Sequence, residues 1–196
     1  VTISPLGTRV RPIDAAPGRL RLLDQRRLPR EEAWLDCASA EDVRRAIKDL
    51  SVRGAPLIGV AAAWGLAQEA ARLAPGGGFD EAWEEAAASL REARPTAVNL
   101  AAAVDRMRRA FLASAGRPPA ARAALLAAEA ARIEAEDLEA CAAMGRHGAA
   151  WIASRLGGDG KAPLRVLTHC NAGALATAGV GTALGVVRAL AAERPV

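Results

Sequence analysis

The run from Leu57 to Leu73 is apolar on nearly every face. A helix with no polar stripe has no side to turn to water, so it must lie at the centre of a domain with other elements wrapped around it. Pro56 suits its first turn, where the missing N–H costs nothing. The low-charge stretch from Gly54 to Gln68 is too short and too broken by glycine to span a membrane. With 52% apolar and 24% charged residues in 196, the chain has material for one large or two small domains around that helix.

The flanking sequence supplies the wrapping. Before it, short apolar runs broken by Pro and Gly (Arg19–Leu23, Ala33–Cys37) predict a small β element within residues 1–38. Ser39 and Asp42 have the spacing of a capping box, and Val43, Ile47 and Leu50 follow at helical intervals. After the central helix, the Pro75–Gly78 loop leads to a helix over Phe79–Ala93. Arg94-Pro95-Thr96 opens another, with Leu100, Val104, Met107 and Phe111 on one face. These helices make up residues 39–117. Pro118-Pro119 starts a long Ala- and Glu-rich helix in the connecting segment 118–162, with Gly145 and Gly148 as points of bending.

In residues 163–196, Leu164–Thr168 reads as a buried strand ending in a turn and a helix, the first unit of a parallel α/β domain. Only Val186–Val196 remain after Gly185, so the rest of that domain is expected outside this chain. Gly179, Gly181 and Gly185 fall too late for a dinucleotide loop, whose glycines belong at the strand-to-helix turn; they read as packing positions inside the helix. The fold class is α/β, with a mainly helical N-terminal domain.

Charge and cysteine content narrow the function classes. Lys and Arg number 26 against 22 Asp and Glu, without basic blocks or interleaved aromatics, which argues against nucleic acid. Cys37, Cys141 and Cys170 show no regular spacing, so neither a disulfide framework nor a metal site is spelled out, and a reducing cytoplasm fits.

Two places carry chemistry. Cys170 sits where a strand meets a helix start, a setting that favours thiolate, against the alternative of a small buried hydrophobe. His169, its neighbour on a strand, is expected to point to the opposite face. Cys37, Cys141 and His147 read as structural. Arg53 and Arg94 each precede a helix with proline in its first turn. That pairs a guanidinium with helix-end donors fit for a phosphate, against the alternative of two surface arginines.

Four stretches in order, Leu23–Arg26, Val52–Val60, Arg94–Leu100 and Leu167–Gly173, resemble the methylthioribose-1-phosphate isomerase family, part of a wider group with ribose-1,5-bisphosphate isomerases and regulatory subunits of translation initiation factor 2B. The resemblance implies a helical domain with a small β element followed by a Rossmann-like domain, in a homodimer. It implies substrate binding by Arg53, Gly54, Ala55 and Arg94, a catalytic Cys170, and aldose–ketose isomerisation of a sugar phosphate without cofactor or metal. The cysteine would act as base or transition-state stabiliser, with hydride transfer as a rival path. The family's acid, an aspartate, belongs beyond Val196, and none of Asp24, Asp36, Asp105 or Asp159 stands in a matching motif. The chain alone is therefore expected to lack full activity. A bisphosphate isomerase and a non-catalytic regulatory subunit are the competing readings.

Overall fold

Alternation makes the sheet. In Arg19–Leu23 the leucines at 20 and 22 are buried between more exposed arginines at 19 and 21, the period-2 pattern of a strand with one covered face. The computed structural model describes residues 11–156 and 164–193. Strands β1 (Ile13–Ala16), β2 (Arg19–Leu23) and β3 (Trp34–Asp36) form one antiparallel sheet in that order. Ile13 pairs with Leu22, and Leu22 with Leu35.

Helix α1 (Ala40–Lys48) starts where the capping box places it. Ser39 Oγ accepts the Asp42 N–H at 3.2 Å while the Asp42 carboxylate accepts the Ser39 N–H at 3.0 Å. Leu50 lies beyond the helix, with φ 63° and its side chain 45% exposed, so it is not a core position. The chain leaves α1 before the next helical repeat would bring Leu50 inward.

Helix α2 (Ala55–Leu73) occupies the centre, buried from Leu57 through Ala70. Around it pack α1, α3 (Phe79–Arg91), α4 (Val98–Ala113), the first part of α5 (Pro119–Leu156) and the sheet, to which Gln68 is tied by donating from Nε2 to the Ala16 carbonyl at 3.0 Å. The far side of this core is an aromatic stack. Trp83 and Phe111 lie with centroids 4.0 Å apart, and the buried Arg122 guanidinium covers Phe111 at 4.0 Å and Phe79 at 4.9 Å, its charge met by Asp80. Helical structure in α5 continues through Gly145 and Gly148.

The last described segment departs from expectation. Residues 164–169 form no strand, and Leu167 is 97% exposed. A parallel strand is held by hydrogen-bonded neighbours, and among the described residues none stands beside this one. A short 3₁₀ turn (Ala174–Ala176) follows, and α6 (Ala183–Glu193) packs on the end of α5. Gly179 and Gly181 lie in the loop before α6, at φ 153° and 96°, not inside the helix; only Gly185 is a helical position. At Gly181 a side chain would also meet the Gly173 backbone at 2.8 Å. The loop Gly157–Pro163, including Asp159, is outside the described residues.

Candidate active site

Arg53 and Gly54 end the loop that enters α2. Pro56 is in the first turn of that helix, and Gly54 precedes it at φ 105°. That conformation suits glycine, and a second constraint acts on the same atom. A Cβ there would come within 2.3 Å of the Ala176 backbone, so only glycine lets the 3₁₀ turn lie against the start of α2. The close approach brings the cysteine segment to the arginine loop.

The result is a cleft of about 530 Å³ lined by Leu50, Arg53, Gly54, Ala55, Arg94 and Cys170, with Pro56, Thr96 and Asn171 also on its wall. All five residues singled out from the sequence therefore meet in one place. Neither Arg53 nor Arg94 joins an ion pair among the described residues. Two unneutralised guanidiniums beside the N-terminal end of a buried helix have the charge and the forked donors that a phosphate group would need. By contrast, a groove of about 520 Å³ between α1, α2 and α3 has its arginines satisfied internally, Arg44 by Glu41 and Arg72 by Glu69.

Arg94 reaches the cleft differently from Arg53. Pro95 is not in the first turn of α4, which begins at Val98; residues 94–97 form a separate turn closed by the Ala97 N–H on the Arg94 carbonyl at 2.9 Å. A turn preceding the helix fits proline as well as the helix start does, so residue type did not separate the two.

Cys170 is exposed and holds φ 66°, a conformation rare for a side-chain-bearing residue. His169 Nδ1 lies 3.3 Å from its Sγ, contrary to the expectation that the two side chains diverge. Opposite faces follow from strand geometry, and this segment has no strand. The imidazole is thus within reach to exchange a proton with the thiol.

The other cysteines have a different environment. Cys37 and Cys141 are buried, and desolvation pushes their thiols up to about 12 and about 11, reinforced by Asp42 at the first and Asp137 at the second. They are inert as nucleophiles near neutrality. Among the described aspartates, Asp24, Asp36 and Asp105 pair with Arg26, Arg21 and Arg91 and do not line the cleft. Hydrogen bonds from those arginines hold the Asp24 and Asp105 carboxyls below their ordinary range.

Behind the cysteine segment, α5 supplies a support that the sequence did not reveal. Asp137 accepts the Ala178 N–H at 2.7 Å, and burial raises its carboxyl above the usual range. The buried Thr177 hydroxyl accepts from Gly179 and Gly181 N–H at 3.2 and 2.9 Å, and Thr182 N–H closes on the Ala172 carbonyl at 2.9 Å. Nothing short of tertiary contact marks an acidic position on a long polar helix as the partner of a distant loop. Among the described residues no group of three or more His, Cys, Asp or Glu is placed to hold a metal ion, and no helix is long and apolar enough to cross a membrane.

Residues 51–195 match the model of the initiation factor 2 subunit family. The chain is 55% identical over 182 residues to a methylthioribose-1-phosphate isomerase of Anaeromyxobacter sp. (strain Fw109-5), covering 92% of this chain and 48% of that protein. It is 50% identical to the enzyme of the same name from Pseudomonas aeruginosa (strain UCBPP-PA14), covering 92% and 49%. The chain spans about half the length of the curated relatives it matches. Among solved structures, 5-methylthioribose 1-phosphate isomerase from Pyrococcus horikoshii OT3 superposes with a TM-score of 0.81 at 34% identity, over 98% of this chain and 52% of that one. The translation initiation factor eIF-2B subunit delta from A. fulgidus gives a TM-score of 0.77 at 38% identity, over 94% and 52%.

Proposed function

The chain belongs to the initiation factor 2 subunit family, and from that premise we propose that its cleft is one side of the active site of an aldose–ketose isomerase. The substrate is S-methyl-5-thioribose 1-phosphate and the product S-methyl-5-thioribulose 1-phosphate, a step of methionine salvage. The observation that carries the reading is the meeting of Cys170 with Arg53, Gly54, Ala55 and Arg94 in one cleft. The names of the relatives at about half identity support the substrate.

The reaction sets a specific problem. Phosphate on the anomeric oxygen blocks ordinary ring opening, so the ring oxygen must gain a proton as its bond to C1 breaks. The hydrogen on C2 must leave, C1 must receive one in its place, and the C2 hydroxyl must give up its proton as C2 becomes the carbonyl, with no net change in composition. Arg53, Arg94 and the Gly54–Ala55 backbone would hold the phosphate and with it C1 and C2 in register. Cys170, with His169 beside it, would take the C2 proton as a thiolate base or stabilise the charge that forms. The acid for the ring oxygen would come from chain beyond Val196.

In this reading residues 1–38, 39–117 and 118–162 form the β element, the helical part and the connector of the N-terminal domain. Residues 163–196 open a Rossmann-like domain in which Leu164–Thr168 becomes a strand once its neighbours are present. The complete protein is a cytoplasmic homodimer needing no cofactor. Its test is turnover of methylthioribose 1-phosphate by the complete reading frame, abolished by Cys170→Ser. Preference for ribose 1,5-bisphosphate would reassign the substrate. Inertness on both, with translation factors recovered as partners, would favour the regulatory reading that the likeness to the A. fulgidus protein raises.

A further inference from the structure

The Leu23–Arg26 motif contributes no side chain to the cleft, yet one of its members touches both sides of the cleft's framework. Gln25 is buried at 3% exposure. Its backbone N–H donates to the Ser51 carbonyl at 2.8 Å, two residues before Arg53. Its side-chain Nε2 donates to the Leu175 carbonyl at 2.8 Å, within the turn that follows Cys170. That same turn lies against Gly54 through Ala176.

The rest of the motif fixes the first of these anchors. Asp24 accepts a forked pair from Arg26 at 2.9 and 2.8 Å, and Arg26 donates onward to Asp49 at 2.9 Å. Asp49 in turn accepts the Ser51 N–H at 3.0 Å and the Ser51 hydroxyl at 2.7 Å. The arginine loop is thus tied to the motif by several bonds, and the cysteine turn by the Gln25 amide. A buried amide facing a carbonyl must present its N–H₂, because an oxygen there would leave two acceptors opposed.

We propose that Gln25 is a positioning residue whose bonds to Ser51 and Leu175 set the spacing between the Arg53 loop and the Cys170 turn. The proposal rests on the reading of the cleft as the site of sugar-phosphate chemistry. A substrate held by phosphate at one wall and attacked from the other is sensitive to that spacing, and a misplacement of about 1 Å costs on the order of a hundredfold in rate. A residue that only filled space would be replaced by methionine without loss of rate.

The test uses the complete reading frame with Gln25→Met, which keeps volume without the donor, and Gln25→Glu, which keeps shape and places an oxygen against the Leu175 carbonyl. Three quantities are read: kcat and KM on methylthioribose 1-phosphate, the affinity for inorganic phosphate by calorimetry, and the protection of Cys170 from iodoacetamide by phosphate. Both variants should lose about tenfold to a hundredfold in kcat, with KM and phosphate affinity within about twofold. Phosphate protection of Cys170, several-fold in the wild type, should fall below twofold. A kcat within twofold of wild type in either folded variant, or a rise in KM alone, overturns the proposal. Should the wild type turn over neither sugar phosphate, the isomerase reading fails. Protection then decides the positioning: its loss in Gln25→Met at unchanged phosphate affinity upholds it, and equal protection or none in the wild type overturns it.

Discussion

Between Ile13 and Ile133 the apolar side chains close on one another; from Ala149 to Leu190 they only begin to. The first region buries Trp83, Leu57, Leu66, Leu100 and Met107 in a continuous core around α2. In the second, Ala149, Ala189 and Leu190 make a small cluster with Ile152, Leu164 and Val186 partly covered. The cysteine segment belongs to the second region and is nonetheless held in place, because its turn is fastened to the first by Gln25 and Gly54 and to the stretch of α5 between the two by Asp137. Local order in such a turn can be borrowed from a neighbouring core, and needs no core of its own.

The sharpest way to separate site from scaffold is Cys170→Ala in the complete reading frame. Removing an exposed thiol should lower turnover by about a thousandfold or more while leaving the unfolding midpoint within about 1 °C. An equal loss of stability would mean that the cysteine is scaffold. Trp83→Ala should cost about 3–5 kcal/mol and Leu190→Ala about 2 kcal/mol, read from urea midpoints. Equal costs would break the distinction between the two regions. Gly54→Ala strikes the seam: steric overlap with Ala176 and a disfavoured φ should cost about 2 kcal/mol and weaken phosphate protection of Cys170.

A pH series sharpens the picture inside the large core. Cys37 has its thiol raised to about 12 from an ordinary 9.0, so the folded state favours its neutral form. That contribution to stability is fully present below pH 9 and is lost as pH rises from 9 towards 12, where the unfolded chain releases the proton first. Chemical denaturation at stepped pH reads this fall; a flat profile above pH 9 would show that Cys37 is not held neutral. Leu167→Ser should do least, within about 0.5 kcal/mol in this chain, because its side chain is already in water.

Much of the first region was legible. The apolar run fixed α2, the Ser39–Asp42 pair fixed the start of α1, and the face from Leu100 to Phe111 fixed the inward side of α4. Those signals are local, and local signals survive in a sequence. What misled was context. Leu50 continues a helical spacing past the end of its helix, and Leu164–Thr168 has strand residues but no described partner. Gly179 and Gly181 were read as helical when their positive φ serves a loop. At the site, residue types pointed to Arg53, Arg94 and Cys170, whereas the approach of His169, the grip of Asp137 and the reach of Gln25 exist only after the chain has folded.

Helix α5 has 38 residues and so runs about 57 Å at 1.5 Å per residue. Its first turns are set in the large core and its last turns carry α6. The core holds it as far as Ile133, and Trp64 binds Glu134 one residue on. Asp137 sits near the middle of its length, just past that hold, and there it accepts from the loop behind Cys170. One helix thus acts as a common spine for the large core, the cysteine turn and α6.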